Sequence, residues 1–196
     1  MKTYRLLLII AVASLFAACS TTKNIPEGDQ LFTGLDAITY EAPEKSRHYA
    51  AIQEELDAAL ATAPNGALFG SSSVRSPLQV GLWVWNAFTN DDSNFGRWML
   101  KSFGKQPVLM SWVNPELRAS VAKEVLRAHG YFRGDVSYKS RTQRNAKTAQ
   151  ISYTVNAGHL FPIDTLQYLG YPAAGARLIR YHLSDTNTKP AEHFNG

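Results

Sequence analysis

Cysteine is almost missing from this chain: Cys19 stands alone among 196 residues. No internal disulfide can brace the fold, so burial has to do so. Charge is also sparse. Asp, Glu, Lys and Arg make up 18% of the residues, too few for a disordered chain, while 45% are hydrophobic and 11% aromatic, enough for packed cores. The net charge of +4 includes Lys2 and Arg5 of a segment expected to be removed, which leaves 18 basic against 16 acidic residues. A surplus of two is a poor footprint for a nucleic-acid binder. Catalytic and metal-binding signatures are missing too. His48, His129, His159, His182 and His193 are scattered with no His-Glu-x-x-His spacing. Gly70-Ser71-Ser72-Ser73 lacks the glycine that would close a nucleophile elbow, and Gly104-Lys105 lacks the upstream glycine and the hydroxyl of a phosphate loop. Asp91-Asp92 reads as a solvated turn. The expectation is a protein without enzymatic activity, cofactor or metal.

The longest apolar run, Leu6 to Ala18, is shorter than the roughly 20 residues a helix needs to cross a bilayer. Preceded by Lys2 and Arg5, it reads as a secretory leader over 1–18. The run closes on Leu15-Phe16-Ala17-Ala18-Cys19, which resembles the lipobox of bacterial lipoproteins, with Phe16 in place of the usual aliphatic residue. That resemblance implies that Cys19 becomes an acylated N-terminus, carrying diacylglyceryl and palmitate-type chains. Several acyl chains on one residue hold a protein on a membrane stably where one would not. The alternative is an ordinary leader with an incidental thiol.

Residues 19–30, polar with Pro26 and Gly28, read as a short tether. Leu31 to Tyr40 is a strand with Leu35, Ala37 and Thr39 on one face. Ser46 caps a helix in which Tyr49, Ile52, Leu56 and Leu60 recur on one side, and Pro64-Asn65-Gly66 ends it. Residues 67–112 form an insertion, least regular of all, with two short aromatic helices in 82–88 and 95–103. It holds all four tryptophans, from Trp83 to Trp112. A packed insertion core is the plainer account of them, and a partner- or membrane-facing surface the sharper one.

The stretch from Asn114 to Gly170 has the clearest grammar. Asn114 and Pro115 start a helix, Leu117, Val121, Val125 and Leu126 mark its apolar face, and Gly130 stops it. Val136, Tyr138 and Ser140 alternate with polar residues, as do Ile151, Tyr153 and Val155, so two half-buried strands flank a polar turn at Gln143–Thr148. A further strand is expected over Ile163–Leu169, and a short apolar-polar stretch over Leu178–Leu183.

The order strand–helix–helix–strand–strand, with Gly130-Tyr131-Phe132 after the second helix and Ala157-Gly158-His159-Leu160-Phe161-Pro162-Ile163-Asp164 at the joint, resembles the POTRA (polypeptide-transport-associated) domain. Together with the openings Cys19–Gly34 and Gly104–Leu109, the chain resembles the lipid-anchored TamA-like form (TamL) of the BamA/TamA outer-membrane assembly family. The resemblance implies an α+β fold, with a POTRA-like domain over 31–160 and the start of a second unit over 161–196. It also implies further domains and a barrel that this sequence does not contain. Implied as well are an outer-membrane location, on the periplasmic side given the non-acidic Ser20–Asn24 flank, and a TamB-like inner-membrane-linked partner.

A three-stranded layer leaves open sheet edges where an extended polypeptide can add as another strand. In the family the strand after the second helix is an edge and the last strand is central, which places the edge at Val136, Ser137, Tyr138, Lys139, Ser140 and Arg141. The same charges serve equally well to keep a free edge from aggregating. The runner-up function is a stand-alone envelope lipoprotein that binds glycan or cell wall through the tryptophan-rich insertion. Arg141, Arg144 and Lys147 form a basic turn that could meet anionic head groups.

Overall fold

The computed structural model describes residues 21–41, 46–164 and 172–182. The leader, Cys19 and most of the expected strand over Ile163–Leu169 lie outside them; Ile163 and Asp164 themselves are not in a strand. The elements run β1 (Leu31–Glu41), α1 (Arg47–Leu60), α2 (Val80–Phe88), α3 (Asn94–Phe103), α4 (Met110–Val113), α5 (Pro115–Ala128), β2 (Asp135–Thr142), β3 (Thr148–Asn156) and α6 (Ala173–Tyr181). The α6 helix occupies the expected apolar-polar stretch near Leu178. The three strands form one sheet in the order β1-β3-β2, so the last strand is central. Strand, helix, helix, strand, strand is the order the POTRA resemblance implies, with α2 to α4 filling the expected insertion.

The chain divides into two compact units, residues 1–38, 61–117 and 138–153 in the first and 39–60, 118–137 and 154–196 in the second. Each strand contributes residues to both. In the second unit the α1 reading holds residue for residue. Tyr49, Ile52, Leu56 and Leu60 are buried, and the Ser46 hydroxyl accepts the Tyr49 N–H at 3.1 Å. Spacing of three and four residues puts one stripe of this helix inward.

The α5 helix starts as its sequence directs, with the Asn114 side chain accepting the Leu117 N–H at 3.2 Å. Gly130, at φ 88°, ends it, and the Tyr131 N–H returns to the Leu126 carbonyl at 2.9 Å. Its buried face matches the expected one only at Leu126. Ala119, Ala122 and Leu126 point inward, whereas Leu117 and Val121 are 58% and 46% exposed. Small side chains let a helix approach its neighbours closely, so Ala119 and Ala122 join Leu126 in the core where Leu117 and Val121 do not.

The first unit corrects two expectations. The supposed tether is packed: Ile25 is buried with Leu31, Leu82 and Leu109, and Trp85 lies against this cluster. Asn86 on α2 holds the same segment by accepting the Asn24 N–H at 3.0 Å and donating to the Thr21 carbonyl at 3.2 Å. The β1 strand is buried continuously over 31–35, while Ala37 and Thr39 are exposed. The buried residues are those that the insertion covers, with Ser72, Val108 and Leu109 meeting β1 at Leu35, Phe32 and Leu31.

Candidate functional site

The candidate site is the outer edge of the sheet, and the two edges differ. The outer side of β1 is occupied at its start by the insertion. The Phe32 N–H bonds the Val108 carbonyl at 2.8 Å, the Leu35 N–H bonds the Ser72 carbonyl at 2.9 Å, and Leu31 bridges Leu109. A β-carbon on Gly34 would stand 2.7 Å from the Ser72 oxygen, so glycine is what lets this cover close.

The opposite edge, β2, pairs with β3 alone. Its position is set from both ends. Gly134 is wedged where a β-carbon would meet a Leu126 methyl at 2.8 Å and the Ala157 carbonyl at 3.2 Å. The Asp135 carboxylate accepts the Lys123 ammonium at 2.8 Å, a bond that holds its pKa below the usual carboxylate value. At the far end the Gln143 N–H bonds the Thr148 carbonyl at 2.9 Å and closes the expected hairpin. Counting back two residues at a time from that bond, the N–H groups of Arg141, Lys139 and Ser137 face β3, while those of Ser140, Tyr138 and Val136 point outward.

The expected site residues therefore lie on an edge strand, but it is not half-buried. Only Val136 is buried; Ser137, Tyr138, Lys139, Ser140 and Arg141 are exposed, Tyr138 by 39%. The apolar face belongs to β3, where Ile151, Tyr153 and Val155 are fully buried. Arg141 is not free: its guanidinium lies 3.4 Å from Asp36 of β1, which also accepts the Ser152 hydroxyl at 3.3 Å. Lys139 is the unengaged cation of the strand among the described residues.

The tryptophans split between the two accounts given for them. Trp83 and Trp85 are partly buried, whereas Trp98 and Trp112 are 55% and 60% exposed. On α2 and α3, Phe88, Phe95, Trp98 and Phe103 form a chain of ring contacts spaced 5.9, 6.0 and 5.9 Å. Sequence spacing also did not show that His48 and His129 meet. Their rings are 6.0 Å apart, and His129 Nε2 lies 2.8 Å from the Glu55 carboxylate. Among the described residues no group of three or more His, Cys, Asp or Glu could hold a metal ion, and no helix is long and apolar enough to cross a membrane.

No known protein family's sequence pattern matches the chain, and no curated protein is detectably similar to it. Among solved structures, the chain is similar to the POTRA3–5 segment of BamA from Haemophilus influenzae at 11% identity and a TM-score of 0.30, over 88% of this chain and 83% of that one. An overlap that loose transfers no partner and no activity.

Proposed function

We propose that this chain is a lipid-anchored outer-membrane protein, acylated at Cys19, that docks extended polypeptides by strand addition at β2 during assembly or translocation of outer-membrane proteins. The observation that carries this reading is the asymmetry of the sheet. One edge is covered where it starts, and the other presents outward N–H groups at Tyr138 and Ser140 between exposed side chains. An incoming strand would take its hydrogen bonds from those groups, and Lys139 would discourage self-pairing until it arrives. The anchor would hold this edge near the membrane, where a TamB-like chain or an unfolded client is within reach.

Tyr138→Pro tests the proposal. Its N–H faces outward, so proline there removes a docking donor without removing a ladder bond, whereas Lys139→Pro breaks the sheet itself. Cross-linking of an extended client peptide to the full chain is expected to fall in Tyr138→Pro while the circular dichroism spectrum stays native. Undiminished cross-linking in that folded variant rules out the edge as the docking site.

The exposure of Trp98 and Trp112 favours a second reading, glycan or cell-wall binding by the insertion. Tryptophan quenching by peptidoglycan fragments, with no peptide cross-linking, would select it.

A further inference from the structure

A cleft of about 440 Å³ opens in the first unit. Its wall combines stretches far apart in sequence: Thr21 at the start of the described chain, the start of β1, Arg75 and Gln79 before α2, and Gln143, Arg144 and Asn145 in the β2–β3 turn. Two arginines line it and no Asp or Glu does. The ion pairs found among the described residues engage Lys123, Arg127, His129 and Arg141, and neither of these two arginines.

Arg75 is partly buried. Arg144 is exposed, and two guanidinium forks with no carboxylate in the lining suit the oxygens of a phosphate. The neutral lining agrees. The Gln143 side-chain oxygen and the Ala149 carbonyl share the Thr33 hydroxyl at 3.0 and 2.9 Å, and the Gln143 NH₂ is a donor. Gln79 adds the opposite need, for its buried Oε1 has no donor. A ligand that answers both demands carries anionic oxygens and also a hydroxyl or ammonium group.

We infer that this cleft binds a phosphate ester bearing a neighbouring hydroxyl or ammonium, held by Arg75 and Arg144 and read by Gln79. Two sources share that chemistry, a phospholipid head group and a free small phosphate ester. Thr21, in the lining, follows Cys19 by two residues in the sequence. If Cys19 is acylated as proposed above, head groups are the nearer source. The cleft does not depend on strand addition at β2, so either reading can fail without the other.

The test is calorimetric titration of the full chain in detergent with glycerol 1-phosphate and phosphoethanolamine, using glycerol and ethanolamine as controls. A second arm uses dihexanoyl phosphatidylglycerol and dihexanoyl phosphatidylethanolamine. Saturable binding of the phosphate-bearing probes is expected, and not of the controls. Arg75→Gln or Arg144→Gln should each weaken it about tenfold or more, with partial recovery in the lysine variants. Gln79→Leu should cut the preference for phosphoethanolamine over inorganic phosphate, a ratio that a merely structural role would not move. Binding of the lipids alone assigns the cleft to head groups, and binding of the soluble esters as well assigns it to the phosphate ester itself. Absence of saturable binding in both arms overturns the inference. So does binding that is indifferent to both arginine variants in a chain whose circular dichroism is native.

Discussion

The side-chain oxygen of Asn65 accepts the Val108 N–H at 2.6 Å, and its NH₂ donates to the Gln106 carbonyl at 2.7 Å. A single buried amide thus holds residues 106–108 in both directions, as a neighbouring strand would. Val108 in turn offers its carbonyl to the Phe32 N–H of β1. Asn65, which the sequence suggested only as part of a helix-ending turn, closes one edge of the sheet.

Asn65→Ala is expected to cost about 1–2 kcal/mol, because it removes both hydrogen bonds that a buried side-chain amide makes to residues 106–108. Chemical denaturation measures the loss. Hydrogen exchange should show its cause, with faster exchange at the Phe32 and Val108 amides and little change in β3. Unchanged protection at Phe32 would mean that the insertion covers β1 without help from Asn65.

Gly34→Ala meets two obstacles, a φ of 116° and a Ser72 oxygen 2.7 Å from the new methyl carbon. A loss of about 1–3 kcal/mol is expected. Gly28 has a positive φ and open space around it, so Gly28→Ala carries the backbone strain alone. The difference in melting temperature between the two variants reads the steric part.

The inward face of α5 can be checked by paired substitutions. Val121→Lys, at an exposed position, should change stability by no more than about 0.5 kcal/mol. Ala122→Leu, at a fully buried one, should cost about 1–3 kcal/mol through overpacking. The reverse ranking would restore the face that residue size suggested.

Tyr40 donates its hydroxyl proton to the Asp57 carboxylate, and burial, reinforced by that neighbour, raises the phenol pKa well above its ordinary value. Burial also raises Tyr49. The folded state therefore keeps these protons when the unfolded chain gives them up near pH 10. The stability from this pair is fully present below pH 10 and declines as pH rises past it. Tyr40→Phe should cost about 1 kcal/mol at neutral pH and flatten the alkaline decline, with Tyr49 supplying the slope that remains. An identical alkaline slope in both proteins would show that the Tyr40–Asp57 bond does not couple to folding.

Much of the second unit was legible in the residues. Helix α1 declares itself because its apolar residues are large and recur at one spacing, and its cap is a serine at the right distance. Helix α5 declares its ends, at Asn114 and Gly130, but only part of its face, since Ala119 and Ala122 are inconspicuous beside Leu117 and Val121. The alternation in β2 was real but did not reveal burial. An edge strand shows the same period as its neighbour with almost nothing packed on it. The packing of residues 21–30 was hidden because polar composition says nothing about where an Asn86 side chain will find backbone to bond.

By itself the sequence determined the order of the main elements, the starts of both long helices, the glycine stop of α5 and the hairpin between β2 and β3. These follow from local rules: caps, glycine at positive φ, and residue period. Only the tertiary structure decided which sheet edge stays open, because that depends on Ser72 and Val108 reaching β1 from an insertion with no regular pattern. It also decided that Arg75 and Arg144, 69 positions apart, line one cleft. No periodicity encodes that proximity, since it exists only once the sheet has brought the turn and the loop together.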